Sequence, residues 1–165
     1  MAVPRKSAGD ATPLPGARVL VVEARFYDDI ADELLRGATA AIEAAQARAE
    51  VLTVSGALEI PQTLAMALDA AEAAGQPYDA AVALGCVIRG DTPHFDFVAG
   101  EAASGLQLAA LETGVPVSFG VLTTDTREQA EARAGGARGN KGAEAARSAL
   151  EMADVFGHLR ARAGQ

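Results

Sequence analysis

LGCVIRGDTPHFDFV, at residues 84–98, is the stretch of sequence that decides the fold. An apolar run over residues 80–87 gives way to a short polar turn over residues 90–93, and His94 then starts a segment of helical periodicity. A strand that leads through a glycine-containing turn into a helix is where α/β proteins place ligand sites. The first N–H groups of such a helix attract anions, and histidine is the side chain whose ordinary pKa lies closest to neutrality. The stretch therefore predicts either a ligand site or a plain strand–helix connection with an exposed histidine.

Apolar runs and segments of helical periodicity alternate along the rest of the chain. Strands are predicted over residues 18–23, 51–54, 80–87 and 117–123. Helices are predicted over about residues 30–49, 61–74, 94–113, 126–134 and 143–160, with a loop over residues 135–142. Such alternation indicates a parallel sheet, and strands buried on both faces read as continuous apolar runs. The predicted fold class is α/β, a three-layer sandwich with a central parallel four-stranded sheet covered by helices on both faces.

Two of these helices begin with capping signals. Asp28 and Asp29 can cap the first helix. Asp125, followed three residues later by Glu128, is typical of a capping box and opens the fourth helix.

Length, charge and cysteine content narrow the possible classes of protein. The 165 residues predict a single domain over residues 17–165, preceded by a mobile arm over residues 1–16 that lacks the apolar core of a signal peptide. The net charge of −8 argues against nucleic acid or an anionic membrane surface as a partner, but leaves room for a small phosphorylated ligand. No apolar run approaches the length of a membrane span. The lone Cys86 allows no internal disulfide and favours a reducing compartment, so that we expect a cytoplasmic protein.

Residues suited to ligand binding follow the predicted strands. Phe26 can stack on a planar ligand or simply cover the sheet edge. Glu59 is either a ligand acceptor or a first-turn carboxylate favoured by the helix dipole, and Gly56, three residues earlier, lets a ligand approach the backbone. Phe119 lies within the fourth strand. Because such residues cluster at the carboxyl ends of strands, we favour a joint site over separate structural roles.

The loop at residues 135–142, GGARGNKG, resembles a phosphate-binding P-loop only superficially. Gly142 stands where Ser or Thr is required, and no strand precedes the loop, so that we reject nucleotide hydrolysis. Arg133, Arg138 and Lys141 form either a cationic cluster or an exposed basic loop. No histidine or cysteine spacing suits a metal, and we expect none.

Taken together, these motifs resemble the 6,7-dimethyl-8-ribityllumazine synthase family. The matching segments are ARFYDDI (24–30), SGALEIP (55–61), LGCVIRGDTPHFDFV (84–98), VPVSFGVLTTDTREQAEARAG (115–135) and GNKGAEAA (139–146). The resemblance implies a flavodoxin-like arrangement. It also implies a transferase of riboflavin biosynthesis that condenses 5-amino-6-(D-ribitylamino)uracil with 3,4-dihydroxy-2-butanone 4-phosphate, with no cofactor. The chain departs from the family at Ser55, Ala132 and Ala137, and the last of these lies at the rim of the implied phosphate pocket.

The same resemblance implies the site residues. The catalytic residues would be His94, as a proton shuttle, and Arg133, which the neighbouring subunit would place on the phosphate. The substrate-binding residues would be Phe26, Ala57, Leu58, Glu59, Cys86, Val87, Ile88, Asp91, Thr92, Phe119 and Lys141.

Within that set, each group would meet a different part of the substrates. Phe26 would stack on the pyrimidine ring, residues 57–59 would hold the ribityl chain, and the backbone of residues 86–88 would face the pyrimidine edge. Residues 91 and 92 would bind the phosphate through backbone N–H groups. Phe119 would come from the neighbouring subunit, and Lys141 would lie close to the phosphate.

The resemblance also implies a homo-oligomer, a pentamer that either remains one or builds a 60-subunit shell, with riboflavin synthase as a candidate partner. The alternative function is a non-catalytic shell protein that binds flavin or lumazine. A signalling receiver domain shares the sheet architecture, but the acidic cluster and partner lysine of that class are missing from the strand ends.

Overall fold

The computed structural model describes residues 12–164, which form a four-stranded parallel sheet with helices on both faces. The strands of the sheet are β1 (Arg18–Ala24), β2 (Arg48–Val54), β3 (Ala80–Ile88) and β4 (Val117–Thr124). The helices are α1 (Asp28–Ala44), α2 (Glu59–Ala73), α3 (His94–Thr113), α4 (Arg127–Arg133) and α5 (Lys141–Arg162). A small antiparallel pair, β5 (Ala134–Gly136) and β6 (Gly139–Asn140), lies between α4 and α5.

Two apolar cores lie on opposite faces of the sheet. Val19 and Val21 of β1 point into a core shared with α1, α4 and α5, whereas Leu20 and Val22 point into a core shared with α2 and α3. The alternation of these side chains follows from the period of two along a strand. The strand order is β2-β1-β3-β4. The predicted α/β three-layer fold is thereby confirmed.

The boundary between α1 and β2 differs from the prediction. The helix ends at Ala44, about five residues before the predicted end, and β2 begins at Arg48, three residues before its predicted start. Gln46 adopts a left-handed φ of 61°, which breaks the helix. Parallel pairing of β2 along all of β1, starting at Arg18–Arg48, outweighs the helix propensity of the alanines there.

The expectation that every strand is buried on both faces is wrong for β2. This strand lies at the edge of the sheet, and Val51 and Leu52 are both 41% exposed. An edge strand with apolar exposed side chains is a surface that can pair with another chain.

The predicted helix caps are also corrected. Tyr27 is the N-cap of α1 and makes no side-chain capping bond, while Asp28 and Asp29 lie within the first turn, where the helix dipole favours them. The capping box of α4 is displaced by one residue. Thr126 Oγ1 accepts from Gln129 N–H at 3.2 Å, and Gln129 Oε1 accepts from the N–H of Asp125 at 2.9 Å.

Residues 135–142 are not the plain loop that was predicted. Gly135, with a φ of 91°, lies in the β5–β6 pair, and α5 starts at Lys141, two residues before its predicted start. Asn140 caps α5 through its Oδ1, and its Nδ2 donates to the carbonyl of Glu33 on α1 at 2.8 Å. A Cβ at Gly142 would collide with the carbonyl oxygen of Leu34, so the glycine permits close packing of α1 and α5.

The predicted arm over residues 1–16 lies mostly outside the described residues and stays a prediction. Leu14 and Gly16 donate backbone hydrogen bonds to the carbonyls of Ala45 and Gln46, at 2.9 and 3.0 Å. Among residues 12–164, no helix is both long and apolar enough to cross a membrane.

Candidate active site

The parallel strands end together at one side of the sheet, here called the carboxyl edge. The pairs Ala24–Val54 and Ile88–Thr124 align the last residues of neighbouring strands. Because the strand order is β2-β1-β3-β4, the chain leaves β1 toward one side and β3 toward the other, with α1 and α3 on opposite faces. A crevice opens between two loops that diverge in this way, and α/β sheets bind ligands there. The β1–α1 loop (residues 25–27) and the β3–α3 loop (residues 89–93) are the walls of this crevice.

The strand β3 reaches further into the crevice than β1 does. The ladder between the two strands ends at the Glu23–Leu84 pair, whereas β3 continues to Ile88 and stays paired with β4 on its other side. The backbone of residues 86–88 therefore presents its β1-facing edge beyond the last β1 pair. Such an edge can exchange hydrogen bonds with a planar ligand, which is the role predicted for these three residues.

An aromatic ring stands at the wall formed by the β1–α1 loop. Phe26 is 72% exposed, and its ring contacts Tyr27 edge-to-face, with centroids 5.0 Å apart and planes at 69°. Most of the surface of Phe26 is exposed despite this contact, and an exposed aromatic ring can stack on a planar ligand.

The β2–α2 loop contributes residues 57–59 to the same edge. Ala57 is buried, whereas Leu58 and Glu59 are exposed at the start of α2. The carboxylate of Glu59 folds back over Gly56, where an added Cβ would lie 2.8 Å from Glu59 Oε2. The absence of a side chain at Gly56 therefore lets the Glu59 carboxylate occupy this position, where it can accept hydroxyl or amide donors.

At the opposite wall, the β3–α3 loop carries His94 at the first residue of α3. Its backbone N–H donates to Thr92 Oγ1 at 3.4 Å, and its side chain is exposed, as are Asp91 and Thr92. The loop is held by Arg89, which donates to Asp125 at 2.9 Å and to Asp96 at 3.3 Å.

The contacts that Arg89 makes with Asp125 and Asp96 are here called the Arg89 clamp, and Phe95, the neighbour of His94, adds a further contact to it. The guanidinium of Arg89 lies over the ring of Phe95, 4.1 Å from its centroid, which is cation–π geometry. The carboxylates of Asp125 and Asp96 raise the pKa of Arg89, which remains charged.

The thiol of Cys86 is unsuited to nucleophilic attack. Burial is the main cause that raises its pKa to about 11, with a smaller opposing effect of Arg127. The thiolate is the reactive form of cysteine, so this side chain is inert near neutrality. Cys86 therefore acts through packing and its backbone.

Three further residues of the predicted site lie outside the two loops that form the walls of the crevice. Phe119 pairs with Ala83 and lies five residues before Thr124, about 16 Å back along β4. Arg133 ends α4, where its Nη1 donates to the carbonyl of Gln129 at 2.9 Å, and Lys141 begins α5 with an ion pair to Glu144. Phe119 and Arg133 were predicted to serve the site of a neighbouring copy, and this assignment stays a prediction.

The residues that hold the β1–α1 loop were not predicted from the sequence. Glu23 is almost fully buried, and its Oε1 accepts from Arg25 Nε and from Thr53 Oγ1, both at 2.9 Å. The signal was a carboxylate at the end of the apolar run RVLVVE, at residues 18–23. Within residues 12–164, no group of three or more His, Cys, Asp and Glu side chains could hold a metal.

Comparison with known proteins gives one consistent result. The family model described as 6,7-dimethyl-8-ribityllumazine synthase matches residues 16–157. The chain is 57% identical over 143 residues to "6,7-dimethyl-8-ribityllumazine synthase 1" of Rhodopseudomonas palustris, which covers 87% of this chain and 88% of the relative. It is 60% identical over 139 residues to the 6,7-dimethyl-8-ribityllumazine synthase of Methylorubrum extorquens strain PA1, covering 84% and 80%. A Nitrobacter winogradskyi protein of the same name is 55% identical over 143 residues, covering 87% and 88%.

Proposed function

This chain belongs to the 6,7-dimethyl-8-ribityllumazine synthase family, and we propose that it is a transferase that condenses 5-amino-6-(D-ribitylamino)uracil with 3,4-dihydroxy-2-butanone 4-phosphate. The observation that carries the proposal beyond family membership is the crevice between β1 and β3. The loops on either side of it carry the exposed side chains of Phe26 and His94, and β3 continues between these loops beyond its last pair with β1. The reaction requires a surface that binds a planar heterocycle and a group that transfers protons.

The uracil is held by stacking and by the backbone. Phe26 covers one face of the pyrimidine ring, and the backbone of residues 86–88 binds its polar edge. Residues 57–59 hold the ribityl chain, with Glu59 as an acceptor for its hydroxyl groups. Binding in one plane brings the 5-amino group into register with the second substrate, and such orientation supplies a large part of the rate.

The phosphorylated butanone binds at the start of α3. The backbone of Asp91 and Thr92 and the positive end of the helix dipole suit its phosphate. Arg133 of a neighbouring copy forks onto the phosphate, because a planar guanidinium binds phosphate oxygens in pairs. Phe119 of the neighbouring copy completes the pocket, and Lys141 lies close to the phosphate.

The chemistry proceeds without a covalent enzyme intermediate. The amine of the uracil attacks the ketone and loses water to give an imine, phosphate leaves, an enol forms, and the second amine closes the ring with loss of water. His94 moves protons among these species, which is general acid–base catalysis. Arg133 stabilises the departing phosphate. The reducing cytoplasm is the expected compartment for this biosynthetic step.

The direct test mixes both substrates with the purified protein and follows the fluorescence of the lumazine. Turnover supports the proposal. Binding of a lumazine or flavin without turnover would instead favour the alternative of a non-catalytic shell protein, which nothing in the site favours at present.

The phosphate assignment predicts a selective effect of Arg133→Lys. Lysine keeps the charge but loses the planar fork, so the KM for the butanone phosphate should rise far more than the KM for the uracil. Steady-state kinetics in which each substrate is varied measure both values, with Arg162→Lys at the end of α5 as the control. Equal increases of the two KM values would contradict the assignment.

Sharing of the site requires an oligomer, and we expect a pentamer at least. The helix α3 exposes Phe97, Leu108 and Leu111, and exposed apolar patches of this kind mark protein interfaces. Twelve pentamers could form a 60-subunit shell, which riboflavin synthase could join as a partner. Light scattering gives the mass, and a monomeric mass would contradict the shared site.

A further inference from the structure

A buried carboxylate lies directly beneath the loop that carries Phe26. The side chain of Glu23 is 3% exposed. Its Oε1 accepts from Arg25 Nε and Thr53 Oγ1, but its Oε2, also buried, accepts no hydrogen bond within residues 12–164. A buried charge that is only half satisfied is unfavourable for folding compared with an apolar residue. Stability alone would therefore favour an apolar residue at this position of β1.

The carboxylate instead fixes Arg25, the first residue of the β1–α1 loop. The Nη1 atom of Arg25 donates to Asp32 on α1 at 2.7 Å and lies 3.7 Å from Asp28. The backbone N–H of Arg25 donates to the carbonyl of Val54 on β2 at 3.1 Å. Arg25 thus ties β1, β2 and α1 together at the point where the loop begins.

Phe26, the next residue, has little else to hold it. In the described part of the chain, the ring of Phe26 contacts the ring of Tyr27, and most of the surface of Phe26 is exposed. The position of its ring therefore depends on the backbone on either side, which sets the direction of the Cα–Cβ bond, and one end of that backbone is the anchored Arg25. We propose that Glu23 is a positioning residue, which acts through Arg25 to hold Phe26 in the orientation that stacks on the uracil ring. The inference rests on the proposed function, because it assumes that Phe26 meets this ring.

The variant Glu23→Gln tests the proposal because it keeps the shape of the side chain and removes the charge that holds Arg25. The ligand is a 6-(ribitylamino)uracil without the 5-amino group, which binds but cannot react, and its Kd is measured by calorimetry. We expect the Kd, and the KM for the uracil substrate, to rise by up to about tenfold, the size of one lost ring stack. The KM for the butanone phosphate should stay unchanged.

Thr53→Val is the matched control. It removes the other hydrogen-bond donor to the same oxygen of Glu23 but leaves Arg25 in place, so the Kd should stay at the wild-type value. Hydrogen exchange gives a readout that does not depend on substrate. Amides of the β1–α1 loop should exchange faster in Glu23→Gln than in Thr53→Val.

A second variant separates positioning from stability. The double variant Glu23→Val with Arg25→Met replaces the pair by apolar side chains, which commonly restores the stability that a broken pair loses. We expect its thermal midpoint to return toward wild type while its Kd for the uracil stays weakened.

Three outcomes would overturn the proposal. One is a wild-type Kd in a folded Glu23→Gln protein, and another is recovery of uracil affinity together with stability in the double variant. The third is a parallel rise of both KM values, because that would indicate general loosening of the fold. If wild type neither binds the uracil nor makes lumazine, the proposed function fails, and the role of Glu23 fails with it.

Discussion

Each wall of the crevice is held by an arginine, but the two arginines differ in the burial of their carboxylate partners. In the β1–α1 loop, the side chain of Arg25 is 29% exposed and pairs with the buried Glu23 as well as with the exposed Asp28 and Asp32. In the β3–α3 loop, the side chain of Arg89 is 42% exposed, and both of its carboxylate partners, Asp96 and Asp125, are mostly exposed. Exposed ion pairs contribute little to stability and are weakened by salt, whereas pairs shielded from water are screened less.

The difference matches the tasks proposed for the two loops. Stacking on a heterocycle needs a ring in a fixed plane, and Phe26 follows the more buried clamp. Proton transfer to several successive intermediates needs a side chain that can adjust, and His94 follows the exposed clamp. The comparison predicts that changes at the β1–α1 loop act mainly on binding, and changes at the β3–α3 loop mainly on turnover.

Replacement of His94 by alanine should produce the largest effect. Turnover is expected to fall by about 10²-fold or less, at or below the lower end for a general acid–base group, because the amine of the uracil is a good nucleophile and water can reach the crevice. Both KM values should change little, since His94 acts on the transition state. Steady-state kinetics of an assembled variant measure this, with His158→Ala on α5 as the control.

Two results would break this side of the comparison. Complete inactivity in a correctly assembled His94→Ala protein would mean that His94 does more than transfer protons. If turnover of the His94→Ala variant depended on pH as turnover of wild type does, His94 would serve only to start α3.

The sequence predicts the ends of helices and strands that are set by local signals such as proline and glycine. The bounds of α3 agree with the prediction, because Pro93 precedes the helix and Gly114, with a φ of 70°, ends it. The predicted end of α1 was wrong, since the alanines around Gln46 continue a helical pattern, whereas the left-handed φ of Gln46 and the pairing of β2 with β1 end the helix earlier. The β5–β6 pair was missed because it depends on contacts of residues 134–140 with each other and with α1.

The candidate site divides in the same way. Strand ends are visible in the sequence, and parallel strands bring them to one edge, so Phe26 and His94 could be predicted as neighbours of a common crevice. The Glu23–Arg25 pair was missed because the burial of a strand carboxylate depends on tertiary packing. For Phe119, no pattern in one chain indicates which neighbouring copy it would serve, and the assignment of these side chains to the reaction stays a prediction.

Replacement of Phe26 should have an intermediate effect, and on binding alone. Loss of an offset ring stack costs about 1–1.5 kcal/mol, so Phe26→Ala should raise the Kd for the unreactive uracil about tenfold. Phe26→Tyr keeps the aromatic face and should bind as wild type does, whereas Phe26→Leu should resemble alanine. Calorimetric titration measures all three. Unchanged affinity in Phe26→Ala would remove the distinction between a binding wall and a catalytic wall.

The smallest expected effect is that of Arg89→Met, which removes the exposed clamp. At low salt, turnover should fall by about two- to threefold, because an exposed network contributes weakly to the position of the loop. In 1 M salt, where the screening length is about 3 Å, wild type should lose most of this advantage and approach the variant. Affinity for the unreactive uracil should not change in either condition, since the Glu23–Arg25 pair is intact.

Arg18→Met is a close control, because Arg18 also pairs with an exposed carboxylate, Glu50 at 2.8 Å, and lies over an aromatic ring, Tyr78 at 4.5 Å, where β1 begins. Salt titration of turnover in the three proteins decides the matter. A difference between wild type and Arg89→Met that persists at high salt would mean that the β3–α3 loop is held as firmly as the β1–α1 loop.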